Sequence, residues 1–172
     1  ALLREAPAPG PEDDALVLGE LKVTRVFPSG MSATYQQLVV KVLTTRGADD
    51  WRSHTVSFTP DRQELRVDRV RVTRPDGSVL ETYQESERST SEPWYRLYFD
   101  TRARTVTVPT PAPGDVLEIA YRMDDVGKEN LLSDYFGDLT LLANQSRKAR
   151  AEYVLLVPQG RKIFASEHQV PG

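Results

Sequence analysis

Glu64-Leu65-Arg66-Val67-Asp68-Arg69-Val70-Arg71-Val72-Thr73 is the stretch on which the fold turns. Apolar and charged residues alternate through it with a period of two, which belongs to an extended strand rather than to a helix. The alternation slips once. Leu65 and Val67 share one phase, whereas Val70 and Val72 share the other, and a regular strand cannot bury both sets on one face. A β-bulge near Asp68-Arg69 restores the register, because one extra residue shifts every later side chain by one position. A strand buried on both faces is the alternative, and the bulge is the preferred reading. Arg74-Pro75-Asp76-Gly77 then forms a turn, and residues 78–83 return as a second strand.

The same texture extends in both directions. Upstream, residues 16–27 and 32–44 read as the two arms of a long hairpin closed by Pro28-Ser29-Gly30, and residues 52–58 as a further strand. Downstream, the polar residues 84–92 read as a loop, residues 94–100 and 105–108 as strands, and 109–114 as a proline-rich turn. Residues 116–123 alternate cleanly. Leu117, Ile119, Tyr121 and Met123 face inward, and Val116, Glu118, Ala120 and Arg122 lie on a largely wet face. Residues 124–130 are a polar connection. Residues 135–143 read as a strand, with a helical turn over 131–136 as the alternative. Ala151, Tyr153, Leu155 and Val157 mark another strand, and 161–166 the last.

Roughly ten or more short strands, no sustained helical periodicity and no internal repeat predict an all-β fold: an antiparallel β-sandwich of two packed sheets. Residues 1–15 read as a Pro-rich acidic linker, with Pro7, Pro9 and Pro11 ahead of Glu12, Asp13 and Asp14, and residues 1–5 as the last turn of an upstream helix. Residues 16–172 then form a single β-sandwich domain.

Composition narrows the function. The 172 residues are 39% hydrophobic and 27% charged, which is globular rather than disordered. A net charge of -3 with scattered Lys and Arg gives no basic face for nucleic acid. There is no cysteine, so disulfides, thiolate metal sites and a Cys nucleophile are all excluded within these residues. No apolar run approaches the ~18 residues that would span a bilayer. Residue 1 is Ala rather than Met, as expected of a trimmed start, so a missing signal peptide says little about the native destination.

No catalytic, cofactor or metal residue is assigned. There is no Gly-x-Ser-x-Gly elbow. His54, in a strand with polar neighbours, and His168, near the end, read as surface or edge histidines. The acidic doublets Asp13-Asp14, Asp49-Asp50 and Asp124-Asp125 lack the spacing of a calcium loop and read as solvated turns. Glu118 is expected to be exposed or at a sheet interface, without an acid or base role. The aromatics Trp51, Trp94, Tyr95 and Tyr98 are the candidate interaction surface. They serve either as core and domain-interface packing or as a platform for weak glycan stacking.

Several segments in order carry a resemblance. They are Arg74-Pro75-Asp76-Gly77-Ser78, Leu97-Tyr98-Phe99-Asp100 with Arg102, Val106-Thr107-Val108-Pro109, and Pro113-Gly114-Asp115-Val116-Leu117-Glu118 with Tyr121. Thr44-Thr45-Arg46-Gly47-Ala48 precedes them and Val157-Pro158 follows. Together they resemble the domain of unknown function 3857, the β domain N-terminal to transglutaminase-like domains in bacterial envelope proteins, over residues 16–164. The resemblance implies a β-sandwich in a larger exported parent that is periplasmic, envelope-bound or secreted. It implies a non-catalytic accessory or scaffold role toward a papain-like Cys-His-Asp domain, whose catalytic Cys is not among these residues. The neighbouring domain is then the expected partner, and the isolated chain is expected to dimerise through any exposed edge. Residues 144–150 depart from the pattern, being polar and basic where a proline-containing bend is expected. In the Pro113-Gly114 turn, Asp115 is expected to close the turn through its side chain.

Overall fold

A computed structural model describes residues 7–90, 100–127, 135–142 and 146–166. Among them run nine strands and one short helix: β1 (Ala15–Val26), β2 (Ser32–Val42), α1 (Thr45–Asp50), β3 (Ser53–Phe58), β4 (Gln63–Thr73), β5 (Val79–Leu80), β6 (Gln84–Ser89), β7 (Arg102–Thr107), β8 (Val116–Asp125) and β9 (Ala151–Leu156). They form a six-stranded sheet in the order β5-β4-β8-β2-β1-β9 and a three-stranded sheet in the order β3-β7-β6. The chain is an all-β sandwich. Every ladder is antiparallel except β1 with β9, which pair in parallel with Glu20 opposite Ala151.

The bulge in β4 lies where the alternation slips. The register against β8 shifts between Val67 and Arg69, so Leu65 faces Met123, Val67 faces Tyr121, Val70 faces Ile119 and Val72 faces Leu117. One extra residue, Asp68, brings both apolar sets to the inner face. There they meet the smaller sheet. Val42, Val70, Val72, Leu117 and Ile119 form one buried cluster with Val106 and Val108 across the gap. Burial of this kind contributes about 1.5–3 kcal/mol per large aliphatic side chain, and it is what joins the two sheets.

The turn chemistry explains two of the sequence segments quoted above. Asp115 is buried and accepts from the Ala112 N–H at 2.7 Å, closing the Pro113-Gly114 turn as expected. Its other connection is an ion pair with Arg74, which ties that turn to the end of β4. Thr44 caps α1 by accepting from the Gly47 N–H at 3.1 Å. Gly47 is required there, because a Cβ would lie 2.0 Å from the Asp14 carbonyl oxygen. That carbonyl receives the N–H groups of Leu43 and Thr44. Residues 10–14, read as linker from composition, are thus fastened to the body: Asp14 accepts from the Thr44 hydroxyl and Asp13 pairs with Arg147 at 3.7 Å.

Several expectations are corrected. Residues 84–89 are strand β6 rather than loop. Their side chains are polar on both faces and give no period, but Glu87 meets Arg104 at 2.9 Å across the ladder to β7. The strand expected at 78–83 shortens to Val79–Leu80. Residues 135–142 and 161–166 carry no strand, for no ladder partner lies beside them among the described residues. The outward face of β8 is not wet at its centre, since Ala120 and Glu118 are both buried. In the polar segment before β9, Lys148 forms a parallel bridge with Val17, and Ala149 donates to the Val17 carbonyl at 2.8 Å. Its described residues, 146–150, lead into β9 with bends at Ser146 and Ala149. α1 was not anticipated, since six residues are too short to display a helical period.

Candidate functional site

Trp51 follows α1, half-buried and packed against the inner core cluster. Trp94, Tyr95 and Tyr98 lie outside the described residues, as does His168. The described part of the molecule therefore contributes one aromatic from the sequence-derived set, and that one is engaged in packing.

Of the surface and edge readings of His54, the edge one holds. It sits on edge strand β3 opposite Val106 and points between the sheets, its ring 5.9 Å from that of Tyr121. Burial lowers its pKa, with the charge of Glu20 pulling the other way. Burial likewise pushes Tyr121 up to about 12, and its hydroxyl donates to Gln36 Oε1. These groups border a cleft of about 220 Å³ between β1, β2 and β8 on one side and residues 139–142 on the other. The charged groups of the cleft are internally paired. Glu20 is held by Lys148. Lys22 reaches Asp138 at 2.7 Å and donates to Thr140 Oγ1 at 3.0 Å. Asp138 also accepts from Tyr153 at 2.9 Å. Burial opposes its charge, but the hydrogen bonds from Lys22 and Tyr153 outweigh it and hold the carboxyl below its ordinary range. The cleft thus offers a neutral imidazole beside a neutral phenol, without an activated nucleophile among the described residues.

Of the acidic doublets, Asp49-Asp50 is exposed as read, whereas Asp13-Asp14 and Asp124-Asp125 are engaged with the fold. Asp125 accepts from both the N–H and the hydroxyl of Ser32, at 2.7 and 2.9 Å, and Asp124 pairs with Arg122 at 2.7 Å. Among the described residues no three His, Cys, Asp or Glu side chains cluster as metal ligands would.

The outer face of the six-stranded sheet holds what sequence reasoning missed. Glu118 is 5% exposed there, bound by Arg71, by Arg69 at 3.5 Å and by the Gln37 amide at 2.6 Å. Beside this group the face turns apolar, and Val154 and Leu156 on β9 are openly exposed. The sequence signal was present: Val154 and Leu156 are apolar in the phase opposite to Tyr153 and Leu155, leaving Glu152 as the polar residue of that side of β9.

Comparison with known proteins follows the same lines. A family described as a domain of unknown function with a solved structure, DUF3857, matches residues 28–171. Among solved structures, a "putative protease" from Parabacteroides distasonis is similar at a TM-score of 0.58 and 14% identity, over 67% of this chain and 24% of that one. The chain therefore spans about a quarter of that protein, and at this identity the likeness is one of fold alone. A CBM3a-L domain from the cellulosome scaffoldin of Clostridium thermocellum aligns at a TM-score of 0.34 and 14% identity, covering 65% of this chain and 68% of that one. Yeast LTA4 hydrolase in complex with bestatin aligns at 0.31 and 18% identity, covering 70% and 18%. No curated protein matches the sequence.

Proposed function

The chain belongs to the DUF3857 family, and on that premise we propose that it is a non-catalytic accessory domain that packs on, and positions, a transglutaminase-like domain of a larger exported bacterial protein. The observation that carries this reading is the state of the cleft. Lys22 pairs with Asp138, Glu20 pairs with Lys148, and the Tyr121 hydroxyl is engaged with Gln36. A site that performed acid–base chemistry would leave such groups free to meet a substrate. The longer Parabacteroides protein, in which this fold occupies 24% of the chain, supports a place within a multidomain parent.

Determining the reading frame on both sides of residues 1–172 tests the reading. A secretory signal upstream and a Cys, His and Asp in papain-like context downstream are expected. A frame that continues into another β module would overturn it and leave glycan binding through Trp94, Tyr95 and Tyr98 as the reading to test.

A further inference from the structure

We propose that the outer face of the six-stranded sheet, across β9, β1 and β2, is the surface that meets the neighbouring protein domain, and that this neighbour presents an apolar patch with carboxylates along one side. The proposal rests on the accessory role above and gives it a location and a chemistry.

The inner face of the sheet is closed by β7, β3 and α1. On the outer face, among the described residues, Val154 and Leu156 of β9 stand open to solvent. A sheet face left to water is ordinarily polar, and the smaller sheet shows such a face: Ser53 pairs with Thr107 at 3.1 Å and Thr55 with Thr105 at 2.8 Å, both exposed. The larger sheet does so only in part. The ladder registers align Val154, Val23, Tyr35, Arg122 and Arg66 in one cross-strand row. The next rows read Glu152, Leu21, Gln37, Ala120, Arg69 and then Gly19, Val39, Glu118, Arg71. The first row changes from apolar at β9, β1 and β2 to basic at β8 and β4; the other two place Leu21 and Val39 beside it and likewise end on arginine at β4.

The basic side sets the sign of the partner. Arg66 and Arg122 are matched by Asp68 and Asp124 at 2.8 and 2.7 Å. Arg69 and Arg71 instead share one buried carboxylate, Glu118, while their side chains remain 54% and 40% exposed. Among the described residues this pair of arginines has one carboxylate between them, on a chain whose net charge is -3. Carboxylates on the neighbour would meet it and would steer the approach. The apolar side needs cover for a different reason. Among the described residues β9 is an edge strand whose outward residues Val154 and Leu156 are 39% and 48% exposed, and an apolar edge of this kind invites unspecific pairing. A lipid surface is the less suitable partner, because the carboxylates Glu118 and Glu152 sit within the face.

Side-chain footprinting of the full-length protein against the 172-residue chain tests the proposal, together with Val154→Glu, Leu156→Glu and Arg69→Gln in both. We expect several-fold protection of Tyr35, Val154 and Leu156 in the full-length protein. The two glutamate variants should abolish it, and Arg69→Gln should weaken it and make it less sensitive to salt. Each variant should leave the melting temperature of the 172-residue chain within about 2 °C of the parent, as surface changes do. Protection confined to the hydroxyl face of the smaller sheet would overturn the surface and spare the accessory role. No protection on any face would overturn both. Binding of the 172-residue chain to phosphatidylglycerol-containing vesicles, lost in Val154→Glu, would overturn the protein partner in favour of a membrane.

Discussion

A single imidazole shows how far burial alone can set a property. His54 makes no claim on attention in the sequence, where serine and threonine flank it on an ordinary alternating strand. Its inward phase, opposite Val106, places it against Tyr121 and lowers its pKa from 6.5 through desolvation. Unfolding returns it to water, so the unfolded state binds more protons in the interval below about pH 6.5. The stability that His54 contributes is complete above that pH and declines as the pH falls toward the lowered folded value. Urea midpoints measured between pH 7.5 and 5.5 should therefore fall more steeply for the parent than for His54→Asn. Glu20 and Tyr121 face the ring, but Tyr121 stays protonated across this range and Glu20 opposes the effect without reversing it. Equal slopes would mean that the imidazole is solvated in the folded protein.

Elements differ in how much of themselves they declare. β4 was legible down to its irregularity, because two apolar pairs in opposite phases admit few solutions and the bulge is one of them. The Pro113-Gly114 turn and the hairpin of β1 and β2 were legible from turn residues and alternation in the same way. β6 was not. Its six residues are all exposed, and its place depends on Arg104 and Arg102 in β7, partners that no local pattern reveals. The burial of Glu118 was hidden for a similar reason: it depends on Arg69 and Arg71 arriving from another strand. The reading of β4 has a direct consequence. Deleting Asp68 should remove the bulge and turn Leu65 and Val67 outward, costing about 3–5 kcal/mol in denaturant unfolding by the usual value of aliphatic burial. Asp68→Ala keeps the extra residue and should leave the midpoint nearly unchanged. If the deletion proved as mild as the substitution, the register and not the burial would have to be reconsidered.

Across the whole molecule, the pairing of β9 with β1 joins segments from opposite ends of the chain, with Glu20 beside Ala151 and Arg25 beside Leu156. Among the described residues it is the one parallel ladder, and parallel pairing is both slightly weaker per residue and unavailable to a hairpin. The entropy of closing so long a loop is lost before the contact returns anything, whereas β1 and β2 close through a tight turn at Pro28-Ser29-Gly30. β9 should therefore dock after the transition state for folding. Leu155 is half-buried on the inner side of β9, so Leu155→Ala should cost about 1–2 kcal/mol, less than a fully buried leucine. Nearly all of that loss should show as faster unfolding with little change in the folding rate. Val40→Ala, fully buried in the β1–β2 hairpin against β8, should instead slow folding. Chevron plots of the two variants separate these expectations. A slowed folding limb for Leu155→Ala would place β9 in the nucleus, and the strand that offers the apolar half of the outer face would then be among the first parts to form.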